Sequence, residues 1–155
     1  MRYLFMLLVL SLVMACQTKE KPKGQNTPAQ VGPATQAVPY PPVPDDYLAN
    51  IVKNGDHLDI VFYKYPISLS RDGNPDIIQE LGRITDQSPQ AAANCQPDGR
   101  IFYNGNGITV AEADLYIQPD CYYVVFYEKG KPAYANGLTA DAIQFYDKLT
   151  KQFRN

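Results

Sequence analysis

The sequence predicts an α+β fold, a two-layer sandwich in which a mostly antiparallel sheet of about four to five strands carries a central and a C-terminal helix on one face. Three observations carry this prediction. Apolar residues alternate at the two-residue period of strands in 58–65 and 108–117, and 121–128 (CYYVVFYE) is a run of strand-favouring aromatic and β-branched residues. Ile77, Ile78, Leu81 and Ile84, and later Ala142, Tyr146, Leu149 and Phe153, recur at helical spacing. Turn signals separate consecutive strands, so the sheet reads as a meander, with helices in the middle and at the end.

In chain order, Pro44-Asp45-Asp46 before Tyr47, Leu48 and Ile51 predicts a short capped helix that stops near Asn54-Gly55. Leu58, Ile60 and Phe62 then alternate with Asp59, Val61, Tyr63 and Tyr65, and Pro66 ends the regular pairing or places the strand near an edge. Asn74 stands at an N-cap position with Pro75 at the first helical place, which predicts a helix over about 75–85. Residues 86–99 read as a loop. Strands follow at Arg100–Asn104, from Ile108 to Ile117, and at Cys121–Glu128, with Gly105-Asn106-Gly107 and Gln118-Pro119-Asp120 between them. Lys129-Gly130-Lys131 turns the chain into Pro132–Asn136. Gly137 breaks that strand, Thr139 caps the last helix, and Leu138 and Ile143 are spaced as a hydrophobic staple.

The chain has 155 residues, 45% of them hydrophobic and 19% charged, but both properties are unevenly spread. Seven of the 13 prolines lie in 22–44. Residues 45–155 hold ten Lys and Arg against fifteen Asp and Glu, a net charge of −5, whereas 17–44 is net +2. The 111 residues of 45–155 suffice for one domain burying roughly 65% of its unfolded surface, and not for two. An acidic domain does not suit nucleic acid, because neutralising phosphates requires clustered Lys and Arg.

The N-terminus reads MRYLFMLLVLSLVMAC, with Arg2 ahead of an eleven-residue apolar run, Leu4 to Met14. Eleven helical residues span about 16 Å, short of a membrane core of roughly 30 Å, so the run matches the apolar region of an export signal. Val13-Met14-Ala15-Cys16 resembles the lipobox of bacterial lipoproteins. That resemblance covers about a tenth of the chain and implies a signal peptide over 1–15 and a lipid-modified N-terminal Cys16. It also implies a stable hold on the membrane, since two or three acyl chains anchor where one is marginal. Gln17 stands where some inner-membrane lipoproteins carry Asp, which favours the outer membrane of a bacterial cell envelope. Residues 16–44 then read as the lipidated Cys and a Pro-rich tether, too poor in apolar residues to fold alone. Its stiff end, Pro39-Tyr40-Pro41-Pro42-Val43-Pro44, leads into the domain at 45–155.

Two cysteines remain. In an oxidising compartment Cys95 and Cys121 are expected to form a structural disulfide, because the spacing is not CxxC and no His lies nearby. No cofactor or metal is implied. One histidine cannot make a His-rich zinc site, and Asp72-Gly73-Asn74-Pro75-Asp76 starts like a calcium loop but has Ile77 and Arg83 where Gly and Glu are needed. His57, flanked by Asp56 and Asp59, has Ser68 and Ser70 as its nearest serines, neither in a nucleophile elbow.

The tyrosines carry most information. In 121–128, Tyr123, Val125 and Tyr127 share one face and Tyr122, Val124 and Phe126 the other, so neither face is plainly polar. One must meet the helices. The second is either covered, by Tyr47 and residues of the tether, or left as an aromatic surface. The sequence thus supports a non-enzymatic, lipid-anchored binding or assembly module acting through Tyr63, Tyr65, Tyr123 and Tyr127. Its partner would be a protein, with a basic one favoured by charge, or a second copy. The alternatives are a small hydrolase or ligand-binding protein with a pocket at His57, Asp59 and the 66–72 loop, and a purely structural lipoprotein.

Overall fold

A computed structural model describes residues 35–153 apart from residue 93. The expected signal peptide, Cys16 and the first part of the tether lie outside the described residues. The order of elements is β1 (Thr35–Ala37), α1 (Asp45–Asn54), β2 (His57–Phe62), β3 (Ser68–Asp72), α2 (Asn74–Leu81), β4 (Gln90–Ala92), β5 (Gly99–Gly105), β6 (Ile108–Gln118), β7 (Cys121–Glu128), β8 (Lys131–Gly137) and α3 (Ala140–Lys151). Six strands form one antiparallel sheet in the order β3-β2-β5-β6-β7-β8, and β1 pairs with β4 in a separate two-stranded ribbon.

The fold is the α+β sandwich that the periodicities predict, with one strand more. The added strand is β3, which pairs with β2 from His57↔Asp72 to Val61↔Ser68. All three helices lie on one face. Ile51 of α1, Ile77 and Leu81 of α2, and Ala142 and Tyr146 of α3 meet Leu58, Ile60, Ile101, Leu115, Val124 and Phe126 of the sheet in the main core. Thr139 caps α3 by accepting from the Ala142 amide at 3.2 Å. The helix α2 stops at Leu81 rather than 85, because Gly82 ends it and Ile84 instead bridges to Leu138. Asn74 opens this helix from inside, after Gly73, and its side-chain amide donates to the Val52 carbonyl, joining α2 to α1.

One polar knot crosses the core. Burial raises the pKa of Glu80, whose carboxylate accepts from the Tyr146 hydroxyl and, at 2.9 Å, from Arg83 Nε. Arg83 also stacks 3.8 Å over the Phe145 ring, so α2 and α3 are fixed to each other by a satisfied group.

The packed structure begins before Asp45. Residues 38–44 run as a strap along the β8 edge. Val38 N donates to the Pro89 carbonyl, Ala135 N to the Pro41 carbonyl at 2.8 Å, and Val43 N to Asn136 Oδ1 at 2.9 Å. A proline accepts from an edge strand and cannot donate onward, so the strap covers this edge without extending the sheet. Among the described residues no helix is long and apolar enough to cross a membrane.

Candidate functional site

The face of the sheet opposite the helices is built by residues that alternate with the core positions. The registers place Asp59, Phe102 and Glu112 in one row, Arg100, Asp114 and Val125 in the next, and Tyr116 beside Tyr123 in a third. Alternation explains why. Ala111, Ala113, Leu115 and Ile117 point into the core, so Glu112, Asp114, Tyr116 and Gln118 of the same strand are left on the far side.

At the β7–β8 end the strap folds over this face. Val38, Tyr40 and Ala91 pack with Cys121, Tyr123, Val125 and Ala135 in a second, smaller core. The Cys95–Cys121 disulfide, with S–S 2.01 Å, ties the 94–98 segment to the start of β7 beside it. Between strap and sheet a cleft of about 190 Å³ remains, lined by Tyr40, Tyr116, Tyr123, Tyr127 and Asp114 among others. The rings of Tyr116 and Tyr123 stack at 4.2 Å and 13°. Burial pushes the Tyr116 and Tyr127 hydroxyls up to about 12 and raises that of Tyr123 as well, so all three are neutral at physiological pH.

A charged network borders the cleft. Arg100 Nε donates to Asp114 Oδ1 at 2.8 Å and Nη1 to Glu112 Oε2 at 3.2 Å, while the guanidinium lies 4.6 Å over the Tyr127 ring. The Tyr127 hydroxyl donates to Asp114 Oδ2 at 2.7 Å. Two carboxylates thus share one guanidinium, and hydrogen bonding to Asp114 raises the pKa of Arg100, fixing its charge. Farther along, Val61 and Tyr63 are 41% and 53% exposed, so the face is open beyond the strap.

His57 stands at the β2–β3 edge. Its Nδ1 lies 2.6 Å from Asp72 Oδ1 and its Nε2 3.1 Å from Asp59 Oδ2, and the hydrogen bond to Asp72, then that to Asp59, raises its pKa. Ser70 donates to the other oxygen of Asp59 at 2.5 Å, which lowers the Asp59 pKa. The serine therefore engages a carboxylate and the imidazole engages two. The sequence arrangement Asp72-Gly73-Asn74 forms a turn into α2, with Gly73 at φ 98°. Among the described residues no group of three or more His, Cys, Asp or Glu side chains is placed to hold a metal ion.

The four tyrosines named from the sequence do not share a surface. Tyr123 and Tyr127 line the cleft, and Tyr63 is exposed on the same face, within electrostatic reach of Arg100 and Tyr116. Tyr65 lies on the other side, its ring edge-on to Phe62 at 6.2 Å against the main core, because β2 ends at Phe62 and the turn breaks the alternation. Tyr47 likewise sits with the helices, against Phe126 and Tyr134, and its hydroxyl donates to the Tyr127 carbonyl at 2.6 Å. Tether residues do cover part of the second face, as Val38 and Tyr40 show. Sequence reasoning missed Tyr40, Arg100, Asp114 and Tyr116. The signal for the last two was the alternation of Glu112, Asp114, Tyr116 and Gln118 with four apolar residues. No family model, no curated protein and no solved structure matches this chain.

Proposed function

We propose that this chain is a non-enzymatic binding or assembly module, anchored by lipid at Cys16 in a bacterial cell envelope, which engages a protein partner through the sheet face opposite its helices. The observation that carries the reading is that face itself. It joins exposed Val61 and Tyr63 to a tyrosine-lined cleft, and such amphipathic aromatic surfaces are typical of binding sites. The anchor rests on the lipobox-like Val13-Met14-Ala15-Cys16.

The geometry at His57 favours binding over hydrolysis. A general base needs a ring nitrogen with a free lone pair, and here both nitrogens face carboxylates while Ser70 bonds to Asp59. The cluster has the form of an ion clamp across a sheet edge.

The test uses the full-length chain in its own envelope, with a photo-crosslinking residue at Tyr63 on the open face or at Ile78, equally exposed on α2. The expected outcome is a discrete adduct from position 63 alone, at twice the chain mass if the partner is a second copy. Indistinguishable patterns from the two positions would refute the assignment of this face. Metabolic labelling with a radioactive fatty acid tests the anchor: label is expected in the wild type and not in Cys16→Ala.

A further inference from the structure

The cleft beneath the strap has a chemistry more specific than that of an aromatic surface. At about 190 Å³ it is smaller than the roughly 300–1,000 Å³ of sites for drug-sized ligands, which suits one long side chain. Four tyrosines, Tyr40, Tyr116, Tyr123 and Tyr127, stand in its otherwise largely aliphatic lining, and the negative π face of a phenol ring attracts cations. The face already shows that attraction, since Arg100 lies over the ring of Tyr127. Charge favours a second cation: Glu112 and Asp114 outnumber Arg100 by one, and residues 45–155 carry a net −5. Asp114 itself lines the cleft.

We infer that the cleft is a socket for a lysine side chain of a basic protein partner, with the ammonium held among Tyr40, Tyr116 and Tyr123 beside Asp114 and the aliphatic stem lying along Val38 and Val125. The inference rests on the reading of this face as a binding surface. A lysine satisfies both halves of the site, because its stem buries against apolar walls while its head meets rings and carboxylate. Norleucine matches the stem and lacks the head.

The test follows the tyrosine ring signals of the full-length chain in detergent micelles by NMR. The probes are Nα-acetyl-lysine methylamide, its norleucine counterpart and choline. The lysine probe is expected to shift a subset of ring signals saturably, those of Tyr116 and Tyr123, and norleucine to leave them in place. Glu112→Gln, at a partly exposed position outside both cores, removes one of the carboxylate charges and is expected to weaken the lysine response about fivefold. Equal responses to lysine and norleucine would make the cleft simply apolar and overturn the inference. So would the absence of any lysine response, or tighter binding of choline, which would assign the socket to a small quaternary ammonium. An adduct at position 63 without a lysine response removes this inference and leaves the binding face standing; loss of both removes the face.

Discussion

His57 meets two carboxylates with one imidazole, and a neutral ring has only one N–H to give. Both contacts become hydrogen bonds only in the imidazolium, which is why the Asp72 and Asp59 bonds raise its pKa above the ordinary 6.5. The sign follows. A group whose folded pKa lies above its unfolded one stabilises in full below the unfolded value and loses that stabilisation as pH rises through the folded one. The melting temperature is therefore expected to fall as pH rises above 6.5, and His57→Gln to remove that part of the slope. Parallel pH profiles for the two proteins would show that the clamp contributes nothing. Asp59 works in the opposite direction: the Ser70 hydrogen bond lowers its pKa, so its share is present above the unfolded value and lost on acidification. The sequence showed His57 beside Asp59 but not opposite Asp72. The pairing depends on β3, and Ser68–Asp72 (SLSRD) has a single large apolar residue, too few to display a period.

Where elements approach closely, one atom decides the packing. A Cβ on Gly105 would lie 1.8 Å from the Asn54 carbonyl oxygen and 3.2 Å from the Gly55 Cα, both backbone, so the end of α1 rests on β5 with no room for a methyl group. Gly105→Ala is expected to destabilise the domain by about 3 kcal/mol, read from denaturant midpoints, since neither backbone can yield without moving its element. Gly130→Ala is a useful comparison. Its Cβ meets nothing within 4 Å, but its φ of +74° still strains an alanine, so a cost of about 1 kcal/mol is expected. The disulfide acts on the same scale. Cys95 and Cys121 are 26 residues apart, and closing that loop is worth about 3.5 kcal/mol on the chain-entropy argument. Cys95→Ala with Cys121→Ala is expected to lose about 3 kcal/mol, and unchanged stability would show that the loop is held by its other contacts. Strands with an alternating pattern and helices with a stripe were legible in the sequence, because burial on one face imposes the period. The three-residue strands β1 and β4 were not, because so short a pairing leaves no period to read, and the strap was legible only as one of two alternatives for the second face.

For the molecule as a whole, the two sheet edges are treated differently. The β3 edge is short and polar, whereas the β8 edge is covered by the strap and by the chain near 85–87, where Thr85 N donates to the Gly137 carbonyl and Gly137 N to that of Gln87. Composition assigns 35–44 to a tether, and past the three residues of β1 its prolines do keep it from forming a helix or a strand. They do not keep it from packing. Val43 is buried in the main core, Val38 and Tyr40 complete the second, and the Ala135 amide and Asn136 Oδ1 have these partners only while the strap is in place. Burying a valine contributes about 1.5 kcal/mol and each of the two hydrogen bonds about 1 kcal/mol, so a chain beginning at residue 45 should be about 3.5 kcal/mol less stable than one beginning at residue 35. For a domain of this size that is a melting temperature lower by roughly 14 °C. The shorter chain also uncovers Tyr123, Val125 and Ala135, so it should bind more of a hydrophobic dye than the longer one. Equal melting temperatures would mean that the strap rests on a fold complete without it. In that case the cleft would have one permanent wall, the sheet, and the lysine socket would lose the Tyr40 side on which its selectivity depends.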